Sequence, residues 1–308
     1  MPKDLQRTIR DHIQLEGVGL HNGIKANLYL KPADDNTGII FKRTDIEDSK
    51  NLIEANYKNV SSTALCTTIT NKHGVSISTI EHLMAAFYGE GVDNVIVEID
   101  APEIPILDGS SFDFVESIKS VGTNEQKYLR KYIKVLKKVE IKDGSKYISI
   151  EPLQKDLIID FEVVYKNPLI RTRRREFKLS NGDLTSIYNS RTFCLYEDID
   201  KIRSLGLAKG GSLENAIVVK ENKILNDGGL RHRNEFVEHK ILDCLGDIML
   251  SGYRVFGHIK SSQGGHQLTN TLLKSFFSDK SNWEFEILEE KEKNHKDGRY
   301  ESPIAVNA

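Results

Sequence analysis

The chain has 308 residues, which at ~150 residues per domain points to about two domains and at least one substantial core. Apolar residues at 39%, charged residues at 29% and aromatics at 8% exclude a disordered or fibrous chain. With 43 Lys and Arg against 45 Asp and Glu, the formal charge of −2 supplies no global pull toward nucleic acid or an anionic membrane, and three cysteines exclude a disulfide scaffold. The opening stretch, MPKDLQRTIRDHIQ, lacks the apolar segment of a signal peptide, and no run approaches the ~18 apolar residues of a transmembrane helix. Cys66, Cys194 and Cys244 form no C-x-x-C pair, so reduced thiols and a cytoplasmic location are expected.

In chain order, residues 25–31 and 38–43 read as strands. Residues 79–89 read as a helix, with Ile80, Leu83, Met84 and Phe87 at helical spacing. A strand at 94–99 and a short helix at 112–119 follow. Gly, Thr and Asn cluster at 122–127, which places a domain boundary near residue 125. Beyond it, strands are expected at 132–141, 147–150 and 157–165, and helices at 196–205 and 235–250. A strand at 253–260 and a helix at 268–277 complete the pattern, and residues 281–308 read as a charged, loosely held tail. Glu81-His82 lies in a helix followed by a strand, and so does Glu238-His239. This echo suggests two similar α+β layers facing each other.

The strongest local signal is His239-Lys-Ile-Leu-Asp243. Four residues on a helix turn about 400°, so the imidazole and the carboxylate share one face and can meet one metal ion. Alone, such a pair is most often an exposed i,i+4 polar contact, and a third ligand must come from elsewhere. His82 is the natural third ligand. Glu81 points about 100° away from it, where a general base would flank the ion. Ser78-x-x-Glu81 also fits a capping box, in which Glu81 only satisfies a helix N-terminal amide. Asp247, on the same helix side as Asp243, can orient an imidazole or stay solvated. His266 follows two glycines that clear room beside it. Thr192 offers a hydroxyl to an oxyanion, or is an ordinary strand-edge residue.

The segments STIEHLMAA (78–86), PILDGS (105–110), SRTFC (190–194) and NDGGLRHRNEFVEHKILDCLGD (226–247), with GGH at 264–266 and GVGLHNG at 17–23, resemble the UDP-3-O-acyl-N-acetylglucosamine deacetylases, zinc enzymes of bacterial lipid A synthesis. The resemblance runs from about Leu5 to about Asp279 in the family's order. It implies a catalytic zinc on His82, His239 and Asp243 (Fe²⁺ being possible in the cell), with Glu81 as general base. It also implies an oxyanion-stabilising His266 oriented by Asp247, and Thr192 as an oxyanion donor. Lys240 would lie near the nucleotide-sugar and Phe193 would line the sugar pocket. Asp108 and His21 would support them.

The implied fold is two α+β domains, 1–125 and 126–280, each a sheet with two packed helices. The site lies between them, and each domain has an insert, near 56–70 and 194–224. In the second insert Ile202, Leu205, Leu207 and Ala216 would wall an acyl passage. The substrate would be UDP-3-O-acyl-N-acetylglucosamine, handled by a monomer with at most transient contact with the inner-membrane surface. The family commonly carries Lys where Gln263 stands and His where Asn167 stands, so the UDP contacts would differ. Arg171 to Arg175 (RTRRR) form a basic cluster, but no nucleic-acid motif surrounds it, and no nucleic-acid partner is expected.

Overall fold

Two helices buried on nearly every face carry the site. The computed structural model describes residues 4–288. Its α-helices are α1 (Glu81–Glu90), α2 (Phe112–Val121), α3 (Thr185–Tyr188), α4 (Ile199–Ser204), α5 (Glu235–Met249) and α6 (His266–Ser278). In α1 every residue from Glu81 to Tyr88 is buried, and in α5 every residue except Lys240. A helix apolar on one side only would sit on a surface; these two are packed all round and form an inner layer. α1 lies against α5, α2 packs beside α1, and α6 packs beside α5.

The sequence echo appears as matching topology. The first half has the strand order Ile13–Val18, Lys25–Pro32, Val95–Ile99, Ile39–Arg43, Leu52–Glu54. The second half contains the order Val139–Asp143, Lys146–Glu151, Arg254–Ser262, Leu157–Val163, Arg173–Lys178. In each, the middle strand has one antiparallel and one parallel neighbour, and it is preceded by a buried helix and followed by another. Each half thus holds a mixed sheet of the same strand pattern with helices before and after its middle strand, an α+β architecture as expected. A single apolar cluster, including Phe41, Phe87, Ile159 and Leu245, runs through both.

Several boundaries differ from expectation. The stretch 132–141 is two strands, Lys131–Val135 and Val139–Asp143, which belong to different parts of the second sheet. The division at residue 125 falls inside the strand Thr123–Leu129, which pairs with Leu5–Ile9, so the first half's pairing runs to Leu129. Residues 283–287, expected in the tail, form the strand Trp283–Ile287 against Lys131–Val135. Its Trp-Glu-Phe-Glu-Ile sequence alternates with period two, and Lys134 pairs with Glu284. Residues 289–308 of the tail lie outside those described. The helix expected at 196–205 is a 3-10 turn at Tyr196–Asp198 followed by α4. The inserts hold two three-stranded sheets, Val60–Ser62 with Thr68–Thr70 and Ser76–Ile77, and Phe193–Leu195 with Ile217–Lys220 and Lys223–Ile224. No helix among the described residues is long and apolar enough to cross a membrane.

The helices α1 and α5 approach closely at Gly246. A Cβ there would lie 2.0 Å from the carbonyl oxygen of Glu81. That contact is backbone, so it cannot rotate away. Gly246→Ala is expected to cost about 1–3 kcal/mol or more in urea unfolding, despite Ala's better helix propensity. It should also lower turnover roughly 100-fold by displacing Glu81. Unchanged stability would show that the helices separate freely.

Candidate active site

His82, His239 and Asp243 come together, with their ligand atoms all within 4.8 Å of one another. Asp243 Oδ1 is 3.5 Å from Nε2 of each histidine. The His239 ring is turned by its other nitrogen: Nδ1 donates to the Ser190 carbonyl at 3.0 Å, which leaves Nε2 as a bare lone pair. Burial pushes this imidazole down to about 3, against the pull of Asp243, so it is neutral near pH 7. Burial alone would raise the Asp243 carboxyl. His239, Lys240 and His82 instead hold it well below the usual carboxylate range. Asp243 Oδ2 accepts from Lys240 Nζ at 2.8 Å, while Oδ1 is buried and has no hydrogen-bond partner among the described residues. A buried, ionised oxygen without a hydrogen bond, 3.5 Å from Nε2 of each of two imidazoles, fits a divalent cation.

A second cluster, Asp160, Glu176 and His258, lies on paired strands of the second sheet. There Arg174 already grips Asp160, with Nε at 2.7 Å, and Glu176 is exposed. The first cluster is the buried one with an uncommitted oxygen.

Glu81 stands beside this triad as the first residue of α1. The capping-box alternative does not hold. The Ser78 hydroxyl donates to the Pro102 carbonyl, and Ile80, at the cap position, makes no side-chain bond. Thr79, a β-branched residue at φ 58°, turns the chain into the helix. The Glu81 carboxylate accepts from the Thr67 N–H at 3.1 Å through Oε2, and Oε1 lies 3.6 Å from His266 Nε2. Burial raises its pKa, only partly offset by His266 and His82.

His266 opens α6, where the helix dipole disfavours a cation. Burial disfavours it too. Asp247, whose Oδ2 is 2.8 Å from Nδ1, and Glu81 outweigh both and lift the imidazole to about 10. Gly264 makes room for this turn, because a Cβ there would meet Ser261 Oγ at 2.1 Å. Gln263, at φ 54°, holds a non-glycine residue in the left-handed region directly before it.

Thr192, Phe193, Lys240 and His266 line one cavity of 670 Å³ that opens on the site. Phe193 packs edge-on to His239 and Phe236, with Lys240 over its ring at 5.6 Å. Burial works against the Lys240 charge, but Asp243 holds the ammonium above its ordinary value. The apolar wall comes from both inserts, including Leu65, Ile199, Ile202, Leu213 and Ala216. Leu205 and Leu207 are not among the lining residues; Leu205 is 67% exposed at the end of α4. Gln263 lines the cavity and donates to Ser145 Oγ, whereas Asn167 is tied to the Glu221 carbonyl outside it. Asp108 caps Ser110 and pairs with Arg231 at 2.8 Å, a supporting position. His21 lines the cavity, with Nδ1 accepting from Ala208 N–H.

Residues that sequence reasoning missed hold the frame. Glu235, fully buried, accepts from Arg191 Nε at 2.8 Å and from the Arg231 N–H at 2.7 Å, locking the segment that presents the Ser190 carbonyl and Thr192. Thr67 touches two of the site's carboxylates. Their partners are distant in sequence, so no local spacing marks them.

The family model of LpxC, UDP-3-O-acyl N-acetylglycosamine deacetylase, matches residues 6–278. The chain belongs to that family. A relative named UDP-3-O-acyl-N-acetylglucosamine deacetylase from Actinobacillus pleuropneumoniae serotype 3 is 41% identical over 290 residues, 93% of this chain and 94% of its own. One of the same name from Shewanella violacea is 42% identical over 282 residues, 91% and 92% of the two chains. Another, from Haemophilus influenzae, is 41% identical over 290 residues, 93% and 94%.

Two measurements check the geometry. Elemental analysis of the purified protein should find about one divalent metal per chain, and His82→Ala or Asp243→Ala should reduce it to near zero. In chelated protein, the His266 pKa lies above its ordinary 6.5, so its contribution to stability is complete below 6.5 and is lost as pH rises through about 10. Wild type should therefore lose on the order of a few kcal/mol between pH 7 and 10, and His266→Gln should lack that loss in urea titrations.

Proposed function

We propose that the chain hydrolyses the 2-acetamido group of UDP-3-O-acyl-N-acetylglucosamine, giving UDP-3-O-acyl-glucosamine and acetate. This would be the committed step of lipid A biosynthesis, carried out in the cytoplasm. The observation that carries the reading is Glu81, one residue from a metal-ligand candidate and 3.6 Å from the His266 imidazolium. His82, His239 and Asp243 would hold zinc, and the same donors suit Fe²⁺ in the cell. Zinc, when bound, supplies a Lewis acid that polarises the acetamide carbonyl and acidifies water.

Glu81 accepts the proton of the attacking water; burial raises its pKa, which makes it a stronger base than an exposed carboxylate. The carbonyl carbon gains the water oxygen, and the C–N bond breaks. Thr192 and His266 donate to the oxyanion as charge develops there. Asp247 keeps His266 protonated and oriented. The leaving amine takes its proton from within this Glu81–His266 pair. Lys240 and Phe193 hold the nucleotide-sugar at the cavity mouth, and the apolar wall takes the acyl chain. The protein works on this substrate as a monomer, touching the membrane surface only transiently. No nucleic-acid partner is proposed for the Arg171 to Arg175 cluster, in which Arg174 pairs with Asp160 and Arg175 with Glu238.

The decisive assay follows acetate release from UDP-3-O-acyl-N-acetylglucosamine and from its unacylated counterpart, with and without chelator. Chelated enzyme should be inactive, and the acylated substrate should be turned over much faster. Equal rates on both sugars would remove the acyl passage. Glu81→Ala should keep its metal and lose ~10²–10⁴ in rate. Full activity in that variant would remove Glu81 as the base.

A further inference from the structure

Thr67 lies at the edge of the first insert's small sheet, one residue before the strand Thr68–Thr70, and is 1% exposed. Its carbonyl accepts from the Ile80 N–H at 3.5 Å, so its backbone abuts the start of α1. Its own N–H donates to Glu81 Oε2 at 3.1 Å, and its hydroxyl donates to Asp247 Oδ1 at 2.6 Å. Those carboxylates sit on different helices, α1 and α5. Each turns its second oxygen to His266: Glu81 Oε1 to Nε2 at 3.6 Å, and Asp247 Oδ2 to Nδ1 at 2.8 Å. The four residues close a ring, Thr67–Glu81–His266–Asp247, in which Asp247 is hydrogen-bonded at both oxygens, while Glu81 is bonded at Oε2 and faces the imidazole with Oε1.

We propose that Thr67 is a positioning residue for the hydrolysis, setting the separation between Glu81 and His266 by gripping the base and the imidazole's partner at once. The inference rests on the roles given to Glu81 and His266 under the proposed function. A carboxylate held by one oxygen can rotate about its last bond; held by both it cannot. Without the hydroxyl, Asp247 Oδ1 becomes a buried acceptor short of a donor, and it can turn to find another. The imidazole follows, because its Nδ1–H is bonded to the same carboxylate. The β-branched side chain adds stiffness, since it restricts the hydroxyl's own rotamer.

The test uses Thr67→Val, which keeps shape and backbone N–H and removes the hydroxyl. Its kcat should fall about 10–100-fold, the usual cost of losing such a supporting partner, with KM and bound metal unchanged. Thr67→Ser, which restores the hydroxyl, should recover most of the rate. On an Asp247→Ala background, Thr67→Val should change kcat by less than about twofold, because the group it acts through is gone. A purely structural role would give the same factor on both backgrounds. Near-wild-type turnover in Thr67→Val, or an undiminished factor on the Asp247→Ala background, overturns the inference. Should the valine variant fail to fold, Thr67→Ala against Thr67→Ser is read by the same criteria. Glu81→Gln is assayed alongside. If it is inactive while Thr67→Val is unaffected, the positioning role alone falls; if it is fully active, the functional reading falls with it.

Discussion

Two buried helices touch backbone to backbone at Gly246, and the chemistry depends on that contact. α1 brings Glu81 and His82, and α5 brings His239, Asp243 and Asp247. Asp243 and Asp247 lie three residues before and one after the glycine, so the crossing point and the polar cluster are the same place. His82 from the first half and the His239–Asp243 pair from the second bring their candidate ligand atoms within 4.8 Å of one another where these helices meet. A glycine inside a helix costs about 1 kcal/mol relative to alanine, and here that cost is offset by the approach it permits.

The second constraint is charge in the interior. Three carboxylates and three imidazoles lie in a space from which water is largely excluded, and each would be expensive alone. They are arranged as complements. One imidazole is neutralised by burial and aimed by a carbonyl, and another is kept cationic by two carboxylates. One carboxylate oxygen is left bare. Burial pushes both His239 and His266 toward the neutral form, and at His266 Asp247 and Glu81 overcome it. A neutral and a charged imidazole are thus produced from one residue type by the carboxylates that each faces.

Much of this was legible in the sequence, for identifiable reasons. His239 and Asp243 share a helix, so spacing alone puts them on one face. The recurring Glu-His before a strand announced the matched topology of the halves. Glu81 was ambiguous locally, because the residue types of a capping box and of a base beside a ligand coincide there. Only the position of the helix start, after Ile80, separates them. Thr67, Arg191 and Glu235 left no local trace, since their meaning lies in contacts with residues far along the chain. The strand Trp283–Ile287 was missed although its alternation is plain, because the mixed charge around it resembles a solvated tail. The resemblance puts Leu205 on the cavity wall, but α4 ends just before it and leaves it exposed.

The repeated strand order also bears on how the molecule assembles. In each half the five-strand pattern closes on hydrogen bonds made within that half. The α1–α5 contact instead joins residues separated by more than half the chain. Closing so long a loop is entropically costly until both partners are rigid. Two preformed shells would therefore dock last, and the polar cluster comes into being only at docking. A nascent chain with its first shell complete would hold Glu81 and His82 exposed and inert. Hydrolytic competence is thus a property of the finished molecule, timed by topology rather than by any separate control.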